Sequence, residues 1–446
     1  MVTFDEVLPT VVRICETYAG FAAFLALKSA CVVRDLRGRV RLVIEPTATG
    51  APVDTSALEE ALTMELGDFF APPIRSTQGI TSDEKGLARA ILQQAAPWSG
   101  LTYKDLATNT TVTARGGLWK KLERRLSKQE WLETGAENPP WRLSERAPAV
   151  VTFYSFKGGV GRTTALAACA WQLARAGKRV VIIDLDLEAP GIGTLLEVQS
   201  KRGVVDVLVD GLATGKPTLE GAIGKASALG ADGDQVDVLP AGKLDLGYLE
   251  KLGRLDFLGA NVPAKEPSPI EQMLRKLLLA LVQRDPRPDY IFIDSRAGLH
   301  DLAGLSLHRL AHVDVLVGRA GKQGYQGLDL TLRVLAQRKG AAAMRCIVVH
   351  TLAPTAGTDE AKAEEKEFKD ASFESFKAHV YEAEEIDTLT EDASAMHVPM
   401  VIRREYALER FASLALIESA FFTPGFIALR EKIESLCAPL PAKEDP

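Results

Sequence analysis

The sequence is poor in several features that would assign it quickly. Its five cysteines, Cys15, Cys31, Cys169, Cys346 and Cys437, are scattered, with no two at CxxC spacing. That pattern points to neither a zinc nor an iron–sulfur site, and the odd count fits a reducing compartment. A basic excess is also missing. Lys and Arg total 53 against 59 Asp and Glu, a net charge of −6, so no global positive field draws the chain to nucleic acid. Long apolar runs are absent. The most apolar early stretch, Phe21 to Val33, is too short to cross a bilayer and contains Lys28. The opening MVTFDEVLPT is acidic, unlike the basic start of a secretion signal. A cytoplasmic protein without membrane attachment is expected. Low-complexity tracts and internal repeats are lacking too. What remains is an ordinary globular composition over 446 residues, 46% hydrophobic and 25% charged, enough chain for two or three domains.

The chain changes character near Pro139, Pro140 and Pro148. Beyond them, short apolar strands alternate with helical segments, the rhythm of a parallel α/β sheet. Strands are expected at 150–154, 179–184, 236–240, 290–294, 313–318, 345–350 and 399–402. Helices are expected from about Thr163 to Ala176, from about Ile270 to Val282 and from about Gly425 to Cys437. Near-continuous apolar strands imply a sheet covered on both faces, hence a doubly wound domain with its ligand crevice at the carboxyl ends of the strands. Before the break, ACVVRDLRGRVRLVIE (30–45) reads as a hairpin turning at 35–38. Helices should flank it, up to about Ala26 and from about Thr55 to Asp68. Residues 82–144 carry LTYKDLA, then RGGLWKKLERRLSKQEWLE, then PPWRLS. A short helix, a longer basic helix and a terminal strand is the order of a winged helix-turn-helix. Arg115, Lys120, Lys121, Arg124, Arg125 and Lys128 would give residues 113–128 a DNA-facing surface, or a solvated face over a core of Trp119, Leu122, Leu126 and Trp131. The expected division is an α+β region at 1–80, a winged-helix unit at 81–146, an α/β domain at 147–438 and a tail at 439–446.

The richest motif is FKGGVGRTT, residues 156–164. It follows an expected strand and opens an expected helix, the setting in which a glycine loop cradles phosphates. Gly158, Gly159 and Gly161 let the backbone turn its N–H groups inward, and the helix start adds positive potential. Thr163 places a hydroxyl where Mg²⁺ can be held, and Thr164 is within reach of a phosphate. Asp184 and Asp186 stand two apart at a strand end, so both can face the crevice. Asp294 ends YIFID in the same manner.

FKGGVGRTT, DLDLEAPG and YIFIDSRAG, in that order and each at a strand end, resemble the deviant Walker A ATPases of the ParA/MinD type. The resemblance covers about residues 148–436. It implies ATP and Mg²⁺ as ligands, held by residues Lys157, Gly158, Gly159, Val160, Gly161, Arg162, Thr163 and Thr164. It implies that Lys157 reaches across a face-to-face homodimer to the partner's nucleotide. It also implies that Asp184 supports the metal shell, that Asp186 positions the attacking water, and that Asp294 holds Mg²⁺ through water. The departure is Arg162, where the family has a second lysine. Arginine keeps the charge on a longer, planar group, so binding is expected to survive better than turnover. Arg296, in DSRAG where the family often has proline, faces the γ-phosphate or pairs with a carboxylate such as Asp301. No NKxD motif is present, which favours adenine over guanine. His350, Ile402 and Arg403, after the last strands, are candidates for the base pocket. No cysteine pair suits the iron–sulfur carrier branch, no tyrosine cluster ends the chain, and the last helix mixes acids and bases.

Three functions follow. The first is an ATPase switch that dimerises with ATP and engages DNA or a protein through its N-terminal part. The second is a nucleotide-sensing module with little turnover. The third is a DNA-binding regulator whose dimer state ATP sets.

Overall fold

The structure, a computed structural model, describes residues 2–17, 27–47, 55–78, 81–124, 131, 139–144, 147–255, 267–339, 344–410 and 413–438. The chain separates into two compact units, Met1–Leu126 with Pro263–Glu266, and Ser127–Val262 with Pro267–Pro446.

The first unit is built on the expected hairpin. β1 (Leu27–Arg34) and β2 (Val40–Pro46) pair antiparallel. Asp35 sets the turn by accepting from the backbone N–H groups of Arg37 and Arg39 at 2.9 and 3.0 Å, with Gly38 at φ 82°. Short strands β3 (Arg75–Ser76), β4 (Ala96–Pro97) and β7 (Trp119–Glu123) complete a sheet ordered β3-β2-β1-β7-β4, while β5 (Thr102–Lys104) and β6 (Thr111–Thr113) form a separate hairpin. Alternation along β1 sends Ala30 and Val32 to a core with α1 (Phe4–Thr17) and α2 (Ser56–Leu66). Cys31 and Val33 face the other way, toward Ala88 and Leu92 of α3 (Ser82–Gln94). A capping box starts α3, with Thr81 Oγ1 accepting from Glu84 N at 3.2 Å.

The winged helix is not what forms. Residues 119–123, expected in a long basic helix, are strand β7, parallel to β1. Trp119 and Leu122 are three apart, so a helix would place them on one face. In the strand they fall on opposite faces, Trp119 in the α1/α2 core and Leu122 against the α3 core. The two-sided sheet thereby gives each its own core, Trp119 fully buried and Leu122 half-buried. Lys120 Nζ donates to Leu92 O at 3.2 Å, and Arg124 donates to Gln94 Oε1 at 3.1 Å. These cations serve α3 rather than one continuous helical surface. Arg125, Leu126 and Lys128 lie outside the described residues. Trp131 and Trp141 pack in the second unit.

The second unit carries the doubly wound sheet. Its described strands are β8 (Ala149–Tyr154), β9 (Val180–Leu185), β10 (Gly224–Lys225), β11 (Val236–Leu239), β12 (Tyr290–Ser295), β13 (Val313–Gly318), β14 (Cys346–Ala353) and β15 (Met400–Arg403). Their order is β10-β11-β9-β12-β8-β13-β14-β15, parallel except for β10 at the edge. One face is covered by α4 (Arg162–Arg175) and by the last described helix, Pro424–Cys437. The other is covered by helices Val204–Thr214 and Pro269–Val282, and beyond β8 by Lys322–Lys339 and Asp359–His379. Burial on both faces explains the unbroken apolar strands. β8 lies between β12 and β13, where the winding reverses. The loop after β8 therefore opens at the topological switch point, the place where such sheets bind ligands.

Candidate functional site

The loop after β8 is shaped from both sides. Gly159 and Gly161 have φ of 71° and 81°, conformations that side chains resist. A Cβ added at Gly158, Gly159 or Gly161 would meet nothing within 4 Å, so the concave side of the loop is open. Thr351, at the end of β14, donates its hydroxyl to Val160 O at 2.6 Å and to Gly318 O at 3.0 Å, pinning the loop to two strand ends. Gly298 N donates to Ser155 O at 3.0 Å, tying the loop to the turn after β12. Gly161 caps α4 in the left-handed conformation, so the helix begins at Arg162 with its N–H groups turned toward the opening. Lys157 is exposed, at the rim.

Three carboxylates meet below the loop. Asp294 Oδ1 accepts from Arg162 Nε at 2.7 Å, and its Oδ2 accepts from the Thr163 hydroxyl at 2.8 Å. Arg162 Nη2 donates to Asp186 Oδ2 at 2.7 Å. Asp184 is fully buried, accepts from Asp186 N at 3.1 Å through Oδ1, and leaves Oδ2 without a hydrogen-bond partner. Burial, with the Asp294 charge beside it, pushes the Asp184 carboxyl well above the usual range. Burial raises Asp294 as well, and Arg162 and Thr163 offset part of that. Arg162 is itself 7% exposed. Burial works against its charge, but Asp294 and Asp186 hold its guanidinium above the ordinary value.

The oxygens of Thr163, Asp184 and Asp294 suit a hard cation such as Mg²⁺, which is held by one or two carboxylates and otherwise by water and phosphate. Among the described residues no group of three or more His, Cys, Asp or Glu converges as an all-protein cage. A metal here would rest on Thr163 and these carboxylates together with a bound phosphate.

The remaining sequence candidates are dispersed around this centre. Arg296 pairs with Glu188, which also lies 3.1 Å from His300 Nε2. Of the two expectations for Arg296, pairing with a carboxylate is the one this structure displays, with Glu188 rather than Asp301 as partner, in a bridge between the loops after β9 and β12. Glu188 belongs to the DLDLEAPG stretch and was readable as a candidate, but nothing in the sequence says which arginine it meets. Ile402 and Arg403 line a cavity of about 370 Å³ beyond Gly159, Gly161 and Thr164, walled also by Leu408 and Phe426. Arg403 is fixed by Pro354 O at 2.7 Å and by Glu365 at 2.6 Å. His350 is fully buried, stacks on Phe368 at 4.4 Å and faces Glu364 at 3.0 Å. It does not line that cavity. Arg404 and Glu405 do, and no motif signalled them.

This geometry agrees with what the chain is similar to. A family model described as "ParA: NUBPL iron-transfer P-loop NTPase" matches residues 146–212. The septum site-determining protein MinD of Helicobacter pylori is 30% identical over 166 residues, 37% of this chain and 50% of that protein. The putative septum site-determining protein MinD of Oltmannsiellopsis viridis is 38% identical over 65 residues, 15% of this chain and 21% of its own length. The matched part of the second unit, residues 146–212 with the glycine loop, is thus similar to ParA/MinD-type P-loop NTPases. The chain spans half or less of the length of these curated relatives. Among solved structures, MinD of Pyrococcus horikoshii complexed with Mg-ADP aligns at TM-score 0.42 and 20% identity, over 66% of this chain and 100% of that one. A putative plasmid partition protein of Borrelia burgdorferi bound to AMPPNP aligns at 0.42 and 18%, over 65% and 98%. All five cysteines are free thiols and buried. Among the described residues no helix is long and apolar enough to cross a membrane.

Proposed function

We propose that this protein is a Mg²⁺-dependent, ATP-binding dimerisation switch with ATPase activity, located in the cytoplasm. The observation that carries it is the open glycine cradle at 158–161 standing over Asp184, Asp186 and Asp294 at the switch point of the sheet. The loop N–H groups and the start of α4 bind and orient the polyphosphate. Thr163, Asp184 and Asp294 hold Mg²⁺, which when bound neutralises phosphate charge. Asp186 orients water and accepts its proton. Lys157, exposed at the rim, reaches the nucleotide of a second copy. Ile402 and Arg403 flank the adenine in the cavity beside the loop. The first unit engages a protein or DNA partner.

A second reading has an observation in its favour. Asp186, the residue that must handle water, is occupied by Arg162. While that bond persists the site binds without hydrolysing, and the protein is a nucleotide sensor. ATP turnover and ATP-dependent mass, measured on native protein, Asp186→Ala and Lys157→Ala, separate the readings. A switch ATPase hydrolyses ATP, loses turnover in Asp186→Ala and fails to dimerise in Lys157→Ala. Turnover of native protein equal to Asp186→Ala, with ATP-dependent dimers intact, leaves only the sensor. Absence of ATP binding removes both.

A further inference from the structure

The guanidinium of Arg162 lies on carboxylates that a divalent cation would use. We infer that Arg162 decides when this site accepts a metal: it excludes divalent cations from the nucleotide-free protein and admits them only with a polyphosphate. The inference rests on the nucleotide-binding reading above.

Every charged group facing the position supports an exchange. Asp294 has both oxygens engaged, one by Arg162 and one by Thr163, and Asp186 gives one oxygen to the same guanidinium. A metal approaching Asp294 must displace Arg162 or share the carboxylate with a like charge in a buried site, where repulsion is poorly screened. Arg296 cannot take over, because it is spent on Glu188. Asp184 supplies the independent sign that a cation belongs here: it is fully buried and its Oδ2 has no partner. With Arg162 withdrawn and nothing in its place, these three carboxylates would face one another without a cation, an arrangement buried sites do not sustain.

The exchange has somewhere to go. Arg162 is the residue between Gly161 and Thr163, so its backbone is part of the phosphate cradle. A polyphosphate in the cradle offers the guanidinium new oxygen acceptors in the same bidentate style. The carboxylates it leaves are then free for a metal. Lysine cannot imitate the resting state, since one ammonium is a point charge and the fork spans two carboxylates through Nε and Nη2.

The test uses Mn²⁺ as a spin probe on the full chain without nucleotide. Native protein is expected to bind Mn²⁺ at least about tenfold more weakly than Arg162→Met, and adding Asp294→Asn to Arg162→Met should abolish the gained site. Adding AMPPNP to native protein should recruit Mn²⁺. Equal nucleotide-free affinity in native and Arg162→Met overturns the inference, as does a folded Arg162→Met that gains no Mn²⁺ site. If Arg162→Met does not fold, Arg162→Lys replaces it. Mn²⁺ should then raise the Tm of Arg162→Lys and leave native Tm unchanged, and a native Tm raised equally refutes the idea. The nucleotide-free comparison stands even if native protein binds no ATP, so failure of the functional reading is told apart from failure of this one.

Discussion

Gly327→Ala tests whether the phosphate loop is positioned by packing from the far side of the sheet. Gly327 lies inside the helix Lys322–Lys339 and lets that helix touch Phe156, the residue before Lys157. A Cβ at 327 would stand 2.1 Å from Phe156 Cγ, 2.3 Å from Cδ1 and 2.5 Å from Cβ. Rotating the ring relieves the first two contacts and not the third, because Cβ moves only with the backbone. Residue 156 must therefore retreat by about 1 Å to reach ordinary contact, which starts near 3.4 Å. Such overpacking costs about 1–3 kcal/mol. Alanine returns about 1 kcal/mol as the better helix former, leaving a net loss of about 0–2 kcal/mol. Binding should suffer more. A shift of that size breaks one or two charge-assisted hydrogen bonds to phosphate, each contributing about 1.5–3 kcal/mol, so affinity falls about tenfold or more. Urea denaturation and titration with a fluorescent ATP analogue measure the two effects. Gly253→Ala is the control: nothing lies within 4 Å of its Cβ, so it should gain about 0.5–1 kcal/mol and bind normally. If Gly327→Ala behaves like Gly253→Ala, the Phe156 contact does not position the loop.

Other predictions concern buried charge and pH. Glu271 is fully buried between Arg275, at 2.8 Å, and Arg309, at 2.5 Å, so Glu271→Ala should cost about 3–5 kcal/mol in urea denaturation; a loss under about 1 kcal/mol would show the pairs to be dispensable. In the first unit, Glu16 Oε1 accepts from Trp119 Nε1 at 2.7 Å and Arg115 N at 2.8 Å. Glu16→Ala should destabilise by about 1–3 kcal/mol and Glu16→Gln by less, with Trp fluorescence following the transition; equal losses would argue against these bonds. Burial holds His350 below its ordinary value of 6.5, against the pull of Glu364. Below pH 6.5 the unfolded chain takes the proton first, so stability falls as pH falls, by at most ~1.4 kcal/mol per pH unit for one histidine. His350→Gln should flatten that part of the Tm–pH curve, and an unchanged slope would place the proton uptake elsewhere.

Much of this protein was legible in one dimension, for reasons that are local. A glycine loop needs positive φ and room for phosphate, and both are written in three glycines between a strand and a helix. The central β-strands of the second unit are apolar on both faces, so their positions could be read from short runs alone, whereas the two-residue edge strand β10, Gly224–Lys225, has no such run and was not expected. The hairpin at 27–46 was equally local, because Asp35 organises its own turn. Residues 119–123 were misread because Trp119 and Leu122 satisfy helical spacing and strand alternation of a two-sided sheet alike. Only a neighbouring β1, nearly ninety positions earlier in the chain, decides between them.

The site divides in the same way. The sequence alone determined that a phosphate loop, two acidic strand ends and an exceptional arginine occur together. Which way that arginine points was left to the tertiary structure. Its partners are 24 and 132 residues away, just past β9 and on β12 respectively, and the parallel register of those strands carries Asp294 beside Asp184. A buried cation goes to the nearest buried anions, and chain folding alone sets which anions those are. Arg162 therefore faces the carboxylates.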